Sequence, residues 1–407
     1  MKKLVTNFAF LGFFILISCG KGNQTNAQNL SDVRDPSNPE TSRPNTRISP
    51  AFKGQTRVKS VKTLTPISVE VIAENLGRPW GIINLPDGRF LITEKSGFLL
   101  LVSKDGKSVS KVEGLPKVAN RGQGGLLDIA LDPDFQNNRM LYWTFSEPVS
   151  GGNHTAVAKG RLAEDEKSIE NPTVFFRAIP TYDGDKHFGS RLAFDQEGFL
   201  FVSTGERSDT ETRPLAQDQN SYLGKILKIT KEGKPAPENP NFNGWKPEIY
   251  STGHRNPQGI AIHPNTGELW EAEMGPRGGD EVNLIKPGSN YGWPTITYGE
   301  EYSGMTIGEG IGKKEGLEQP IYYWDPSVSM SGIDFYTGSI PEWKNNLILG
   351  CLGGEKIIRL VIENHKVTGE EWLLEDQGER FRDVLSGKDG HLYAITDSGK
   401  LYKISKK

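Results

Sequence analysis

Six times along the chain, a turn built on Gly, Asp or Asn runs directly into a short apolar stretch. Asp87-Gly88 precedes residues 90–93, Asn137-Asn138 precedes 140–143, and Glu197-Gly198 precedes 199–202. Thr266-Gly267 precedes Leu269-Trp270, Asn345-Asn346 precedes 347–350, and Asp389-Gly390 precedes 391–394. Such pairs supply the positive φ that a tight hairpin needs. The copies are spaced by roughly 45 to 80 residues, and a four-stranded propeller blade needs at least about 40. The excess in the middle copies implies insertions in loops. No long amphipathic helical pattern competes, and 47 Gly with 25 Pro in 407 residues favours turns. The pattern predicts an all-β fold, a six-bladed β-propeller of four-stranded antiparallel sheets, with ligands over the mouth of its central channel.

The N-terminal part reads differently. Lys2-Lys3 is followed by a mostly apolar run, residues 4–17, too short to span a bilayer comfortably. It ends in Leu16-Ile17-Ser18-Cys19, a run like a bacterial lipobox. We therefore expect a lipoprotein signal peptide over 1–18, with Cys19 lipidated and holding the protein to a membrane of the bacterial cell envelope. Residues 20 to about 60 have hardly any large apolar side chain and read as a flexible tether, so the expected units are a tether over 19–62 and a propeller over 63–407. A net charge of −3 gives no electrostatic case for nucleic acid. Apart from Cys19 the chain has one cysteine, Cys351, which follows an apolar run and reads as a small core residue.

Between the repeats lie segments that no strand requires. Gly122-Gln123-Gly124-Gly125 is either backbone brought close to a ligand or a plain turn. His187-Phe188-Gly189-Ser190-Arg191 sets one of only six histidines in a loop, as a hydrogen-bonded structural residue or as a base. Thr204-Gly205-Glu206-Arg207, closing the same blade's strand, offers a carboxylate that could orient the imidazole. Residues 253–259 and 273–281 flank a short strand pair, and their carbonyls and carboxylates suit a hard cation such as calcium or form a solvated acidic loop. Asn290-Tyr291-Gly292-Trp293-Pro294 reads as a packed aromatic turn. In Arg380-Phe381-Arg382-Asp383, strand alternation puts both guanidinium groups on one face. There they repel unless an anion joins them; the alternative is two surface ion pairs.

Taken in order, these motifs resemble the glucose/sorbosone dehydrogenase family, and within it the aldose sugar dehydrogenases. The resemblance runs from about Leu76 to Leu401. It implies a six-bladed propeller that binds pyrroloquinoline quinone (PQQ) and Ca2+, oxidises the C1 hydroxyl of an aldose to a lactone by hydride transfer, and passes electrons to an external acceptor. It implies His187 as the general base, with Glu206 supporting it. It implies that Gln123, Arg255, Asn256, Ser327, Lys356, Arg380 and Arg382 contact the quinone, Arg255 also stabilising developing charge. The carbonyls of Gly275 and Pro276 match the ligands of the cofactor's calcium. Two departures stand out: Lys186 replaces an Asp of the glucose-oxidising relatives, and Met274 replaces a polar residue before Gly275-Pro276. The rival readings are a calcium lactonase and a non-catalytic surface propeller.

Overall fold

The computed structural model describes residues 34–407. Cys19 and the expected signal peptide lie outside them. Each of the six turn-and-strand repeats becomes the second strand of a four-stranded antiparallel sheet: Phe90–Glu94, Met140–Val149, Leu200–Thr204, Leu269–Glu273, Leu347–Cys351 and Leu392–Thr396. Five of the six are buried at every position, because neighbouring blades cover both faces. Among the described residues, α-helix is confined to Phe135–Asn138. Cys351 is fully buried between the fourth and fifth blades, beside Leu349 and Ile358.

The inner strands are Pro79–Asn84, Leu126–Leu131, Gly189–Phe194, Pro257–Ile262, Met330–Phe335 and Phe381–Ser386. Each touches the next, and the last touches the first, which closes the ring. In every blade the register between inner and second strand slips near the start of the inner one. A slip of this kind re-aims side chains, here at the rim of the channel. The outermost strand of the sixth blade is Ile67–Ala73, which runs antiparallel to Leu401–Lys406 with Ile67 opposite Lys406. The ring is thus zipped by both ends of the folded chain.

The re-aimed residues meet in the channel around Arg191. Its Nη1 lies 3.1 Å from Asp128 and 2.8 Å from Asp383, and its Nε donates to the carbonyl of Gln258 at 2.6 Å. The guanidinium stacks on Trp80 at 4.1 Å. Asp383 also accepts the N–H of Ile82, and a Cβ on Gly332 would stand 1.7 Å from it. All six inner strands therefore converge on one buried ion cluster.

Residues 34–62 depart from the expected tether. They contain no named strand, yet they lie as a strap along the fourth and fifth blades. Asn38 donates to Val58 and to Glu370, Gln55 to the carbonyl of Pro320, and Arg57 to the carbonyl of Asp325. Ser60 bridges to Glu370 on the outer strand of the fifth blade. Composition forecast a free segment because it lacks apolar side chains; the strap is held instead by buried hydrogen bonds.

Candidate active site

The segments singled out above cluster where inner strands begin and second strands end. In the third blade Gly189 pairs with Thr204, so the residues just beyond that pair face each other. His187, at φ +47°, turns back from the strand, and its Nδ1 lies 2.8 Å from Oε2 of Glu206. Glu206 is fully buried and His187 nearly so. Burial, then the nearby Arg255, pushes the imidazole pKa down, against the opposing pull of Glu206. Burial alone would raise Glu206; His187, Arg255 and the Ser208 N–H outweigh it and hold the carboxyl low. The pair is thus a neutral imidazole on a carboxylate. Glu206 fixes the proton on Nδ1, which leaves the Nε2 lone pair free to accept one.

Neighbouring loops hold this pair in place. Gln123 accepts the N–H of His187 at 2.8 Å, and its own N–H bonds to the carbonyl of Asp185. Asn256 accepts the N–H of Gly189 at 3.1 Å, while its buried Nδ2 has no partner. Arg255 accepts the Glu206 N–H on its carbonyl, and its guanidinium lies over Trp293 at 5.2 Å. Its Nη1 donates to the carbonyls of Met274 and Gly275, while its buried Nε is unpartnered. Two buried donors without acceptors, on adjacent residues, mark a place for an anionic or carbonyl-bearing group.

The remaining cations come from the fifth and sixth blades. Lys356 begins a strand, sits 3.1 Å over the Trp372 ring and reaches Glu375 at 3.2 Å. Arg380 and Arg382 do share a face, and the anion between them is Asp397, at 3.0 Å and 2.9 Å. Arg380 is largely exposed, whereas Arg382 is mostly buried and also reaches Gln258. The two-surface-pair alternative therefore fits Arg380 alone. Lys95 was not foreseen. It donates to the carbonyl of Gly122, and partial burial with Arg78 and Arg382 nearby pushes its ammonium down to about 8.

Ser327 donates to the carbonyl of Pro276 at 3.2 Å and accepts the N–H of Gly278 at 2.9 Å. The two carbonyls expected to bind calcium thus each accept one hydrogen bond already, Gly275 from Arg255 and Pro276 from Ser327. Each keeps a second lone pair, so hard oxygen donors suited to calcium are present. Two residues before Gly275, Glu273 joins His254 and Glu271, and their ligand atoms lie within 4.8 Å of one another, all buried. Burial, then Glu273, pushes Glu271 and Glu281 well up, and Glu271 Oε1 and Asn283 Oδ1 have no partner. The sequence pattern marks 253–259 and 273–281 as cation-suited, which takes in His254 and Glu273 but not Asn283 or Glu271. Tyr291 stacks on His254 at 4.8 Å, as the aromatic turn foretold.

The chain is similar to known proteins over most of its length. Residues 76–403 match the model of the Glucose / Sorbosone dehydrogenase family. The aldose sugar dehydrogenase YliI of Escherichia coli (strain K12) is 41% identical over 347 residues, covering 83% of this chain and 93% of that protein. A solved glucose dehydrogenase superposes with a TM-score of 0.80 at 45% identity, over 84% of this chain and 100% of that one. The PQQ-bound aldose sugar dehydrogenase of Streptomyces coelicolor gives 0.70 at 30% identity, over 84% and 99%. With the propeller, the buried His–Glu pair and the cationic rim on one mouth, the chain belongs to the glucose/sorbosone dehydrogenase family.

Proposed function

We propose that this protein is a PQQ-dependent aldose sugar dehydrogenase that converts the C1 hydroxyl of an aldose to a lactone. The observation that carries the reading is the buried His187–Glu206 pair, with a neutral imidazole, set among cations from three other blades. PQQ, when bound, supplies the acceptor for hydride from C1, and Ca2+, when bound, supplies a Lewis acid beside it. The chain's own residues do the rest. Nε2 of His187 takes the hydroxyl proton, and Glu206 stabilises the imidazolium that results. Lys356, Arg380 and Arg382 fit the carboxylates of the quinone, and Arg255 and Asn256 offer it their unpartnered N–H groups. Gln123 steadies His187 through its main chain. Ser327 lies at the rim, and the carbonyls of Gly275 and Pro276 offer calcium their free lone pairs. The same reading keeps Cys19 as a lipidated residue on the outer side of a bacterial membrane, with an external acceptor reoxidising the cofactor.

The test is reconstitution of the purified full chain with PQQ and Ca2+, followed by dye reduction with a panel of aldoses. Turnover should require the quinone. Arg382→Ala should weaken quinone binding by on the order of 1.5–3 kcal/mol, since it removes a charge-assisted contact from a water-poor place. Arg380→Ala should do less, being exposed. No turnover with any aldose at saturating quinone would leave the lactonase or a non-catalytic propeller.

A further inference from the structure

The strap lies outside the residues that match the family model, yet it reaches the rim of the quinone pocket. Its contact point is Asp325, a buried side chain two residues before Ser327. Among the described residues, every hydrogen bond to that carboxylate comes from the strap. Oδ1 accepts from the N–H and the Nδ2 of Asn45, each at 2.9 Å. Oδ2 accepts from the N–H of Thr46 at 2.9 Å and from its hydroxyl at 3.0 Å. Arg57 adds a bond to the Asp325 carbonyl at 2.6 Å while holding the carbonyls of Glu40 and Ser42.

The other end of this loop touches the site. Ser327 bridges Pro276 and Gly278, and Asp280 accepts the N–H groups of Val328 and of Gly275, both at 2.8 Å. Gly278 packs so closely that a Cβ there would stand 2.5 Å from Oδ1 of Asp325. Residues 325–329 are therefore clasped between the strap on one side and the 275–280 loop on the other. A buried carboxylate stripped of its donors is costly. Without the strap the loop must move to find water, and it carries Ser327 with it.

We propose that residues 42–57 are a positioning element of the cofactor pocket, with Asn45 and Thr46 setting Ser327 through Asp325. The proposal rests on the reading of the site as a quinone pocket. Its test uses the full chain with Asn45→Ala/Thr46→Val, and measures amide exchange in the cofactor-free protein, PQQ affinity and melting temperature. Exchange at residues 327–329 and at Gly278 should quicken, and the Kd for PQQ should rise about tenfold, as for groups that orient first contacts. The melting temperature should fall little, because the blades are untouched. Thr46→Ser, which keeps the hydroxyl, should restore both exchange and affinity in an otherwise native strap. Should the double variant lose its cooperative melt, Thr46→Val alone carries the same comparison. Quinone affinity within twofold of wild type overturns the strap's role, whatever the exchange shows. A wild-type protein that takes up no quinone is a separate result, and it removes the functional reading and this proposal together.

Discussion

His187 owes its chemical character to its burial and to two neighbours. Burial and Arg255 lower its pKa below the usual 6.5, and Glu206 pulls the other way. A base must be unprotonated, so turnover should hold as pH falls through 6.5 and drop only below it. Glu206→Gln removes an influence that raises the pKa, and should move the acid limb further down while weakening the base. His187→Gln should keep quinone binding and lose about 10²- to 10⁴-fold in turnover. Stopped-flow dye reduction across pH, with quinone titrations beside it, checks all three. Wild-type turnover in His187→Gln would end the assignment of the base. The sequence could show His187 and Glu206 because each stands in a short motif beside Gly. It could not show Asp397 between the two arginines or Lys95 beside Arg382, because those partners are chosen by strand register, which local pattern does not encode.

Strand ends bring these residues together, and a glycine at one of them makes the approach possible. Gly205 follows the second strand of the third blade, where a Cβ would lie 2.2 Å from the carbonyl of His187 and 3.0 Å from Asn256. Gly205→Ala should therefore push the imidazole off its position. A shift near 1 Å can cost about a hundredfold in rate, so turnover should fall while the apoprotein still melts cooperatively. Unchanged kcat would show that the backbone there has slack. The second strands were legible because both their faces are buried, which gives continuous apolar runs after a turn. Of the inner strands only the start of Phe381–Ser386 reads as strand; elsewhere Asp128, Arg191 and Gln258 interrupt the apolar pattern with buried polar groups. The strap escaped for a related reason: side-chain amides and hydroxyls hold it, and an argument from apolar content does not register them.

At the scale of the molecule, six blades share one buried ion cluster. Arg191 is its sole cation on Asp128 and Asp383 among the described residues. Arg191→Ala would leave two buried carboxylates uncompensated, a loss of about 3–5 kcal/mol. Denaturant unfolding of the apoprotein checks this, and a loss under about 1 kcal/mol would mean that the channel admits enough water to replace the guanidinium. Ring closure by strands from both ends keeps the blades in one cooperative unit, so that loss should appear as a single shifted transition. The docked strap also sets a leash. With Asp35 bonded to the Arg57 carbonyl and Asn38 to Glu370, a lipid on Cys19 would leave 16 residues, 19–34, between membrane and body. Whatever their conformation, these span at most about 50 Å. A free segment to residue 62 would have reached about 150 Å. The body itself is about that shorter length across. If the chain is tied in this way, it would sweep a shell only about one molecule deep, and under the proposed function its electrons would have to find their carrier at the surface of its own membrane.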